Sequence, residues 1–171
     1  MNEAALMSDL TGFPAVLSAA VAGLSDAQFR WKPASGAYSI LEVVCHLADE
    51  EVEDFALRLR LTLEDPTQDW PKIDPANWAQ LRKHNEQDPA ESLARFTKSR
   101  ADNMLWLASI RPIDWETTHP HPLGDLKAAD LFASWAAHDW LHLRQITKRR
   151  YELCTTAGSP YDALYAGEWS A

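Results

Sequence analysis

Two cysteines, Cys45 and Cys154, are all that the 171 residues contain, and they form no C-x-x-C pair. That excludes a disulfide framework and a thiolate zinc site, so any metal must be held by histidine and carboxylate. Basic residues are scarce as well, 16 Lys and Arg against 25 Asp and Glu, for a formal charge of −9. A protein that neutralises nucleic-acid phosphates needs a basic face. The concentration from Arg144 to Arg150 is too small to reverse the field, and no nucleic-acid partner is expected. The most apolar stretch, Leu10 to Leu24, is interrupted by Gly12, Pro14 and Ser18 and is too short to span a bilayer. No membrane partner is expected from it. A secretory signal would open on basic residues, whereas the first Lys or Arg is Arg30. The reading is a cytoplasmic protein.

Runs of β-branched residues bounded by turn signals are missing too, and helical periodicity takes their place. With 46% hydrophobic and 24% charged residues, the chain has the balance of a globule with a real core. Leu6, Leu10, Phe13, Leu17, Val21 and Leu24 mark one buried helix face, with Pro14 predicting a kink or a second start inside it. A second helix begins at Ser39, where Glu42 completes a capping box and Tyr38 and Val43 form a staple. It should run from Ile40 to about Glu64, where Asp65-Pro66 stops it. A long link follows, with Pro66, Pro71 and Pro75 and a short helix predicted over Ala76 to His84. Asp88-Pro89-Ala90-Glu91 opens a third helix ending near Ile110, and a fourth is predicted from about Asp125 to Tyr151. Four amphipathic helices predict an all-α chain, a four-helix bundle over 1–151, with the long link admitting a crossover between helices two and three. Residues 152–171, with Tyr161, Tyr165 and Trp169, read as a tail docked on the same domain or on a dimer partner.

Along the fourth helix Leu131, Trp135, His138, His142, Gln145 and Arg149 recur at steps of three and four, a seam pattern. Imidazoles at i and i+4 share a helix face with a rise of about 6 Å between their Cα atoms. An isolated pair of this kind is more often two hydrogen-bonded core histidines than a metal site. His46, mid-helix beside the inner stripe of helix two, shifts the balance. Three histidines from two helices make the donor set that leaves a further position open for water or substrate. Asp49 and Glu50 project near His46, and either fits a fourth ligand, an outer partner of an imidazole, or a general base. Their alternative is a solvated acidic run with Glu51, Glu53 and Asp54. Asp139 is rotated away from the histidine pair and reads as a surface or cap residue. His84, His119 and His121 read as surface residues, and Cys45 as packing. A di-iron site lacks its remaining ligands, because helices one and three carry no histidine. Trp140 falls on the outer side of helix four and calls for a cover, either the tail or a second copy of the chain, and a homodimer is the preferred reading.

Trp31-x-Pro33, the stretch Tyr38-Ser39-Ile40-x-Glu42-Val43-Val44-x-His46-Leu47-x-Asp49-Glu50-Glu51, and His138-Asp139-x-x-His142-Leu143-x-Gln145-Ile146 resemble the DinB-like family of metalloenzymes. The resemblance extends over nearly the whole chain through Tyr151. It implies a bundle, often homodimeric, in which His46, His138 and His142 bind one divalent ion, commonly nickel or zinc. It also implies small-molecule chemistry, since relatives include S-transferases that use a low-molecular-weight thiol, bacillithiol, and more distantly a mycothiol-dependent isomerase. The first functional expectation is therefore thiol transfer to a small electrophile, with Glu50 or Asp49 accepting the proton and Arg100 or Gln145 orienting the substrate. Metal-dependent hydrolysis is the second. The competing class is a non-catalytic metal-binding or stress-related helical dimer.

Overall fold

Pro14 sits in the middle of the first helix, α1 (Glu3–Val21), and the helix runs through it without a restart. Proline has no N–H to offer the carbonyl four residues earlier. That carbonyl, of Leu10, instead accepts a hydrogen bond of 2.9 Å from the Arg100 guanidinium, so the expected interruption is absorbed by a buried side chain from another helix. The computed structural model describes every residue except Leu123, Glu168, Ser170 and Ala171. After α1 come a short α2 (Asp26–Arg30), α3 (Ile40–Glu53), α4 (Phe55–Glu64), α5 (Pro75–Leu81), α6 (Pro89–Ser109) and α7 (Ala128–Ala157). Ser39 and Glu42 form the predicted capping box at the start of α3, and Asp88 caps α6 as its sequence requires.

Three boundaries differ from the sequence reading. The single helix expected from Ile40 to Glu64 is divided at Asp54, whose backbone sits at φ −121°, ψ −103°. Neither Gly nor Pro marks this break, and the Asp54 carboxylate turns to Arg58 at 3.0 Å. Helix α7 starts later than expected because Leu126 and Lys127 pair with Thr118 and His119 in a two-residue antiparallel ladder. It ends later, at Ala157, because nothing between Tyr151 and Gly158 breaks it. Within the tail, Trp169 packs on Tyr151 with ring centroids 5.4 Å apart. The ring of Trp140 meets Phe13 edge-on at 5.8 Å and stays 45% exposed.

The long rods are α1, α3 continued by α4, α6 and α7. Cys45, Asp49 and Glu51 of α3 meet Ser92, Arg95 and Arg100 of α6 in the same order, so these two rods run parallel. The link that joins them therefore returns along the bundle, which is the crossover between helices two and three. Helix α7 runs opposite to α3, with Trp135 beside Glu51 and His142 beside His46. By length and composition alone α1 could cross a membrane; in the fold its Leu10, Phe13, Leu17 and Val21 are buried, and it packs on α6 and α7.

Two apolar clusters fill the bundle. One gathers Phe13, Leu17, Val43, Leu47, Phe96 and Ile146; the other gathers Leu10, Leu59, Leu107, Leu131, Phe132 and Trp135. Each such side chain contributes roughly 1.5–3 kcal/mol by leaving water. Between them lies a charged layer. Arg100, 1% exposed, donates to Asp139 at 2.7 and 2.9 Å and to Glu51 at 2.6 Å. Trp135 Nε1 and Asn103 Nδ2 complete the shell of Glu51, and the guanidinium lies about 5 Å from the ring centres of Phe96 and Trp135. Asp139 is thus a buried partner and not a surface residue, and Arg100 is a structural cation whose Nη1 and Nη2 are both engaged while its Nε is buried without a partner. Burial pushes the Asp139 carboxyl up to about 6, against the opposing pull of Arg100.

Removing the central cation strands two buried carboxylates, which costs about 3–5 kcal/mol, whereas replacing a whole buried ion group by apolar residues is often neutral. Arg100→Met should lower unfolding stability in urea by that amount. Adding Glu51→Leu and Asp139→Leu should recover most of it. A loss below about 1 kcal/mol, the worth of an exposed pair, would show that the layer does not carry the bundle.

Candidate metal centre

Helix α3 places His46 and Glu50 one turn apart on the side facing α7, and α7 answers with His138 and His142, again one turn apart. A ligand atom from each of the four lies within 4.8 Å of every other. His46 Nε2 approaches Glu50 Oε1 at 3.1 Å, His138 Nδ1 approaches Glu50 Oε2 at 3.2 Å, and the Nε2 atoms of His138 and His142 face each other at 3.0 Å. His46, Glu50 and His142 are buried, and His138 is the partly open member.

A hydrogen bond to Gln145 fixes the tautomer of His142. His142 Nδ1 faces Gln145 Oε1 at 3.1 Å and must donate to it, which leaves a lone pair on Nε2. His138 Nδ1 lies 3.2 Å from Glu50 Oε2, but that oxygen has no hydrogen-bond partner, so this contact does not set the His138 tautomer. Both rings are neutral near pH 7: burial and the neighbouring charges hold His138 down to about 4 and His142 down to about 3. The lone pair on His142 Nε2 points at His138 Nε2 at 3.0 Å, where it meets either the N–H of that ring or a cation shared by the two. His46 Nδ1 is buried and has no hydrogen-bond partner, an orphan of the kind that a native core rarely tolerates. This chemistry fits a divalent ion, with Glu50 as an additional ligand or as the outer carboxylate that orients two of the imidazoles. Burial raises the pKa of Glu50, opposed by its hydrogen bond with His46.

Aromatic rings wall the cluster. Tyr38 and Trp78 lie 6.2 and 6.0 Å from the His46 ring, and Phe55 lies 4.9 Å from that of His138. Trp78 belongs to α5, inside the crossover link, so the long connection supplies a wall of the site. None of these three was singled out from sequence as part of the site; the signal for Trp78 was an aromatic in a link too long to be idle. Gln145, expected to orient a substrate, instead sets the tautomer of His142.

Asp49, expected beside Glu50 as an alternative base, is placed elsewhere. Its carboxylate faces α6 and the crossover, held by Arg95, by Arg82 at 2.9 Å and by His84 Nε2 at 2.9 Å. Burial would raise its pKa, but the bonds from His84 and Arg95 hold it down to about 2. With its oxygens engaged by cations, it has no reach to the histidine cluster. His84 is therefore no surface residue but fully buried. His119 is buried as well, stacked on Trp70 at 4.1 Å, with its Nδ1 facing the Pro66 carbonyl at 3.0 Å. His121 lies 5.6 Å from the same tryptophan. Cys45 is packing, as read: its Sγ lies 3.3 Å from Ser92 Oγ, and burial pushes the thiol up.

Proteins similar to this chain carry names that imply a metal ion. A family model described as the DinB superfamily matches residues 9–146. A protein of Bacillus licheniformis is 28% identical over 149 residues, covering 84% of this chain and 82% of its own. YfiT of Bacillus subtilis is 25% identical over 143 residues, covering 80% and 79%. Both carry the provisional name of metal-dependent hydrolase. The solved structure of YfiT, described as a four-helix bundle of unusual topology, superposes with a TM-score of 0.78 over 88% of this chain and 86% of that one, at 22% identity.

Two outcomes follow from the geometry. His46→Ala and His138→Ala, purified without a histidine tag, should each lose divalent-metal affinity by more than the roughly 10–100-fold that outer-shell partners are worth, read by metal analysis; undiminished occupancy would contradict the site. In the metal-free protein, His138 and His142 bind protons less readily when folded, near 4 and 3, than the ordinary 6.5 of an unfolded histidine. The unfolded chain takes up the extra protons, so stability falls as pH drops from about 6.5 toward 4. Thermal melts of metal-free protein across that window should show a falling midpoint, more weakly in a His138→Ala variant.

Proposed function

The chain belongs to the DinB superfamily, and from that membership and the four-residue centre we propose that it is a metal-dependent hydrolase of a small molecule. The observation that carries the reading is the convergence of His46, His138 and His142 with Glu50 in one cluster. Such an ion, for which an imidazole-rich set favours zinc or nickel among others, supplies Lewis acidity and eases deprotonation of the nucleophile. His46, His138 and His142 hold it. Glu50, buried and with its pKa raised, takes the proton of the attacking nucleophile and returns it to the leaving group. Tyr38, Trp78 and Phe55 narrow access to the reacting atoms and exclude bulk water from them.

Transfer to a thiol uses the same parts with a different nucleophile. The chain's own thiols do not supply it, since Cys45 is turned to Ser92 and Cys154 is exposed near the end of α7. A low-molecular-weight thiol would therefore arrive as a co-substrate, and its effect on turnover separates the two reactions.

The metal-loaded protein should hydrolyse members of an ester, amide and lactone panel without added thiol. Glu50→Gln should lower kcat by about 10²–10⁴-fold, the span of general acid–base catalysis, with metal content retained. Turnover that appears only with a thiol would convert the reading to S-transfer. Absence of turnover under both conditions at full metal occupancy would leave a metal-binding bundle without catalysis.

A further inference from the structure

The chain is acidic, yet the cavity beside its centre is basic. This cavity, of about 260 Å³, is lined by Arg144, Lys148 and Arg149 from the last turns of α7, by Tyr38 and Gln145, and by Trp169 of the tail. Among the described residues no acidic one lines it. Two of its lining residues adjoin the candidate ligands: Gln145 is bonded to His142, and the Tyr38 ring centroid lies 6.2 Å from that of His46. The cavity thus lies beside the metal centre, separated from the four candidate ligands by Tyr38 and Gln145.

Arg149 is 6% exposed. Its Nη2 donates to Glu152 Oε1 at 3.1 Å, and its Nε lies 3.1 Å from Glu152 Oε2 as an ion pair, which occupies one side of the guanidinium. Its Nη1 is buried with no hydrogen-bond partner. A buried cationic donor left unpaired costs free energy that a native site recovers by binding an acceptor. Arg144 and Lys148, both exposed, bring two further positive charges to the rim, and a guanidinium suits the planar oxygens of carboxylate and phosphate.

We propose that this cavity receives the anionic end of the substrate, a carboxylate or phosphate group held by Arg149 with Arg144 and Lys148, while the bond to be broken lies against the histidine cluster. The inference depends on the metal-dependent reading for its place beside the reacting atoms, but anion binding itself is measurable without turnover. The substrate class is then a small anionic molecule, drawn into a basic pocket on an otherwise acidic surface.

Calorimetric titration of the metal-loaded protein with succinate, inorganic phosphate and neutral succinamide tests it. One or both anions should bind at a single site and succinamide should not; the preferred anion identifies carboxylate or phosphate as the group recognised. Arg149→Gln should weaken that binding by about tenfold or more, the worth of a charge-assisted hydrogen bond. The exposed double change Arg144→Gln with Lys148→Gln should weaken it several-fold, and it decides the matter if Arg149→Gln fails to fold. His138→Ala, depleted of metal, should still bind the anion. No anion binding by the wild type, equal binding by the charge variants, or binding lost in His138→Ala alone, which would put the anion on the ion, each overturns the proposal. Intact anion binding without hydrolysis would instead count against the catalytic reading and leave the pocket standing.

Discussion

One guanidinium ties the four rods of this bundle together. Arg100 comes from α6, takes the Leu10 carbonyl that Pro14 leaves free in α1, and bridges Glu51 of α3 to Asp139 of α7. Buried charges add little net stability to a core, because desolvation consumes most of what their attraction returns. What they do fix is register. A leucine seam tolerates sliding by part of a turn, whereas a fork of donors between two carboxylates and a carbonyl is satisfied in one arrangement only.

That register places the candidate centre. Glu51 is the immediate neighbour of Glu50, and Asp139 the immediate neighbour of His138. Once Arg100 has joined Glu51 to Asp139, the preceding residue on each helix is brought to the same level, about 100° round its own helix, and His46 and His142 follow one turn along. The two layers have opposite character. In the first, a permanent cation answers two carboxylates; in the second, three imidazoles and Glu50 converge as a donor set that fits a cation. The first can form during folding with the chain's own groups, and it holds the second open for an ion.

Much of the site was legible from spacing. H-x-x-x-H on a seam, and a third histidine four residues before Glu50 on another helix, carry ligand geometry in one dimension, because the helix repeat converts a step of four into a shared face. The caps at Ser39 and Asp88 were legible for the same reason, being local. What escaped depended on contacts between distant segments. Asp139 and Arg100 look like surface charges until their partners are known, and Asp49 is drawn from the histidines by Arg82, Arg95 and His84, two of which stand in or beside the crossover. His84 sits among polar residues in sequence and becomes buried only because the link folds back over α3. Likewise Pro14 gives a correct local warning that a buried arginine 86 positions away answers, as 100 − 14 shows.

The central claim is that a single divalent cation sits between α3 and α7 in the grip of His46, His138 and His142. Anomalous diffraction at the zinc edge, from crystals of the zinc-loaded protein, tests it most directly. The account predicts one strong peak per chain within about 2.0–2.1 Å of a nitrogen of each of the three rings, the ordinary zinc–imidazole distance. A peak at other residues, or full density for the three rings with no peak between them, would contradict it.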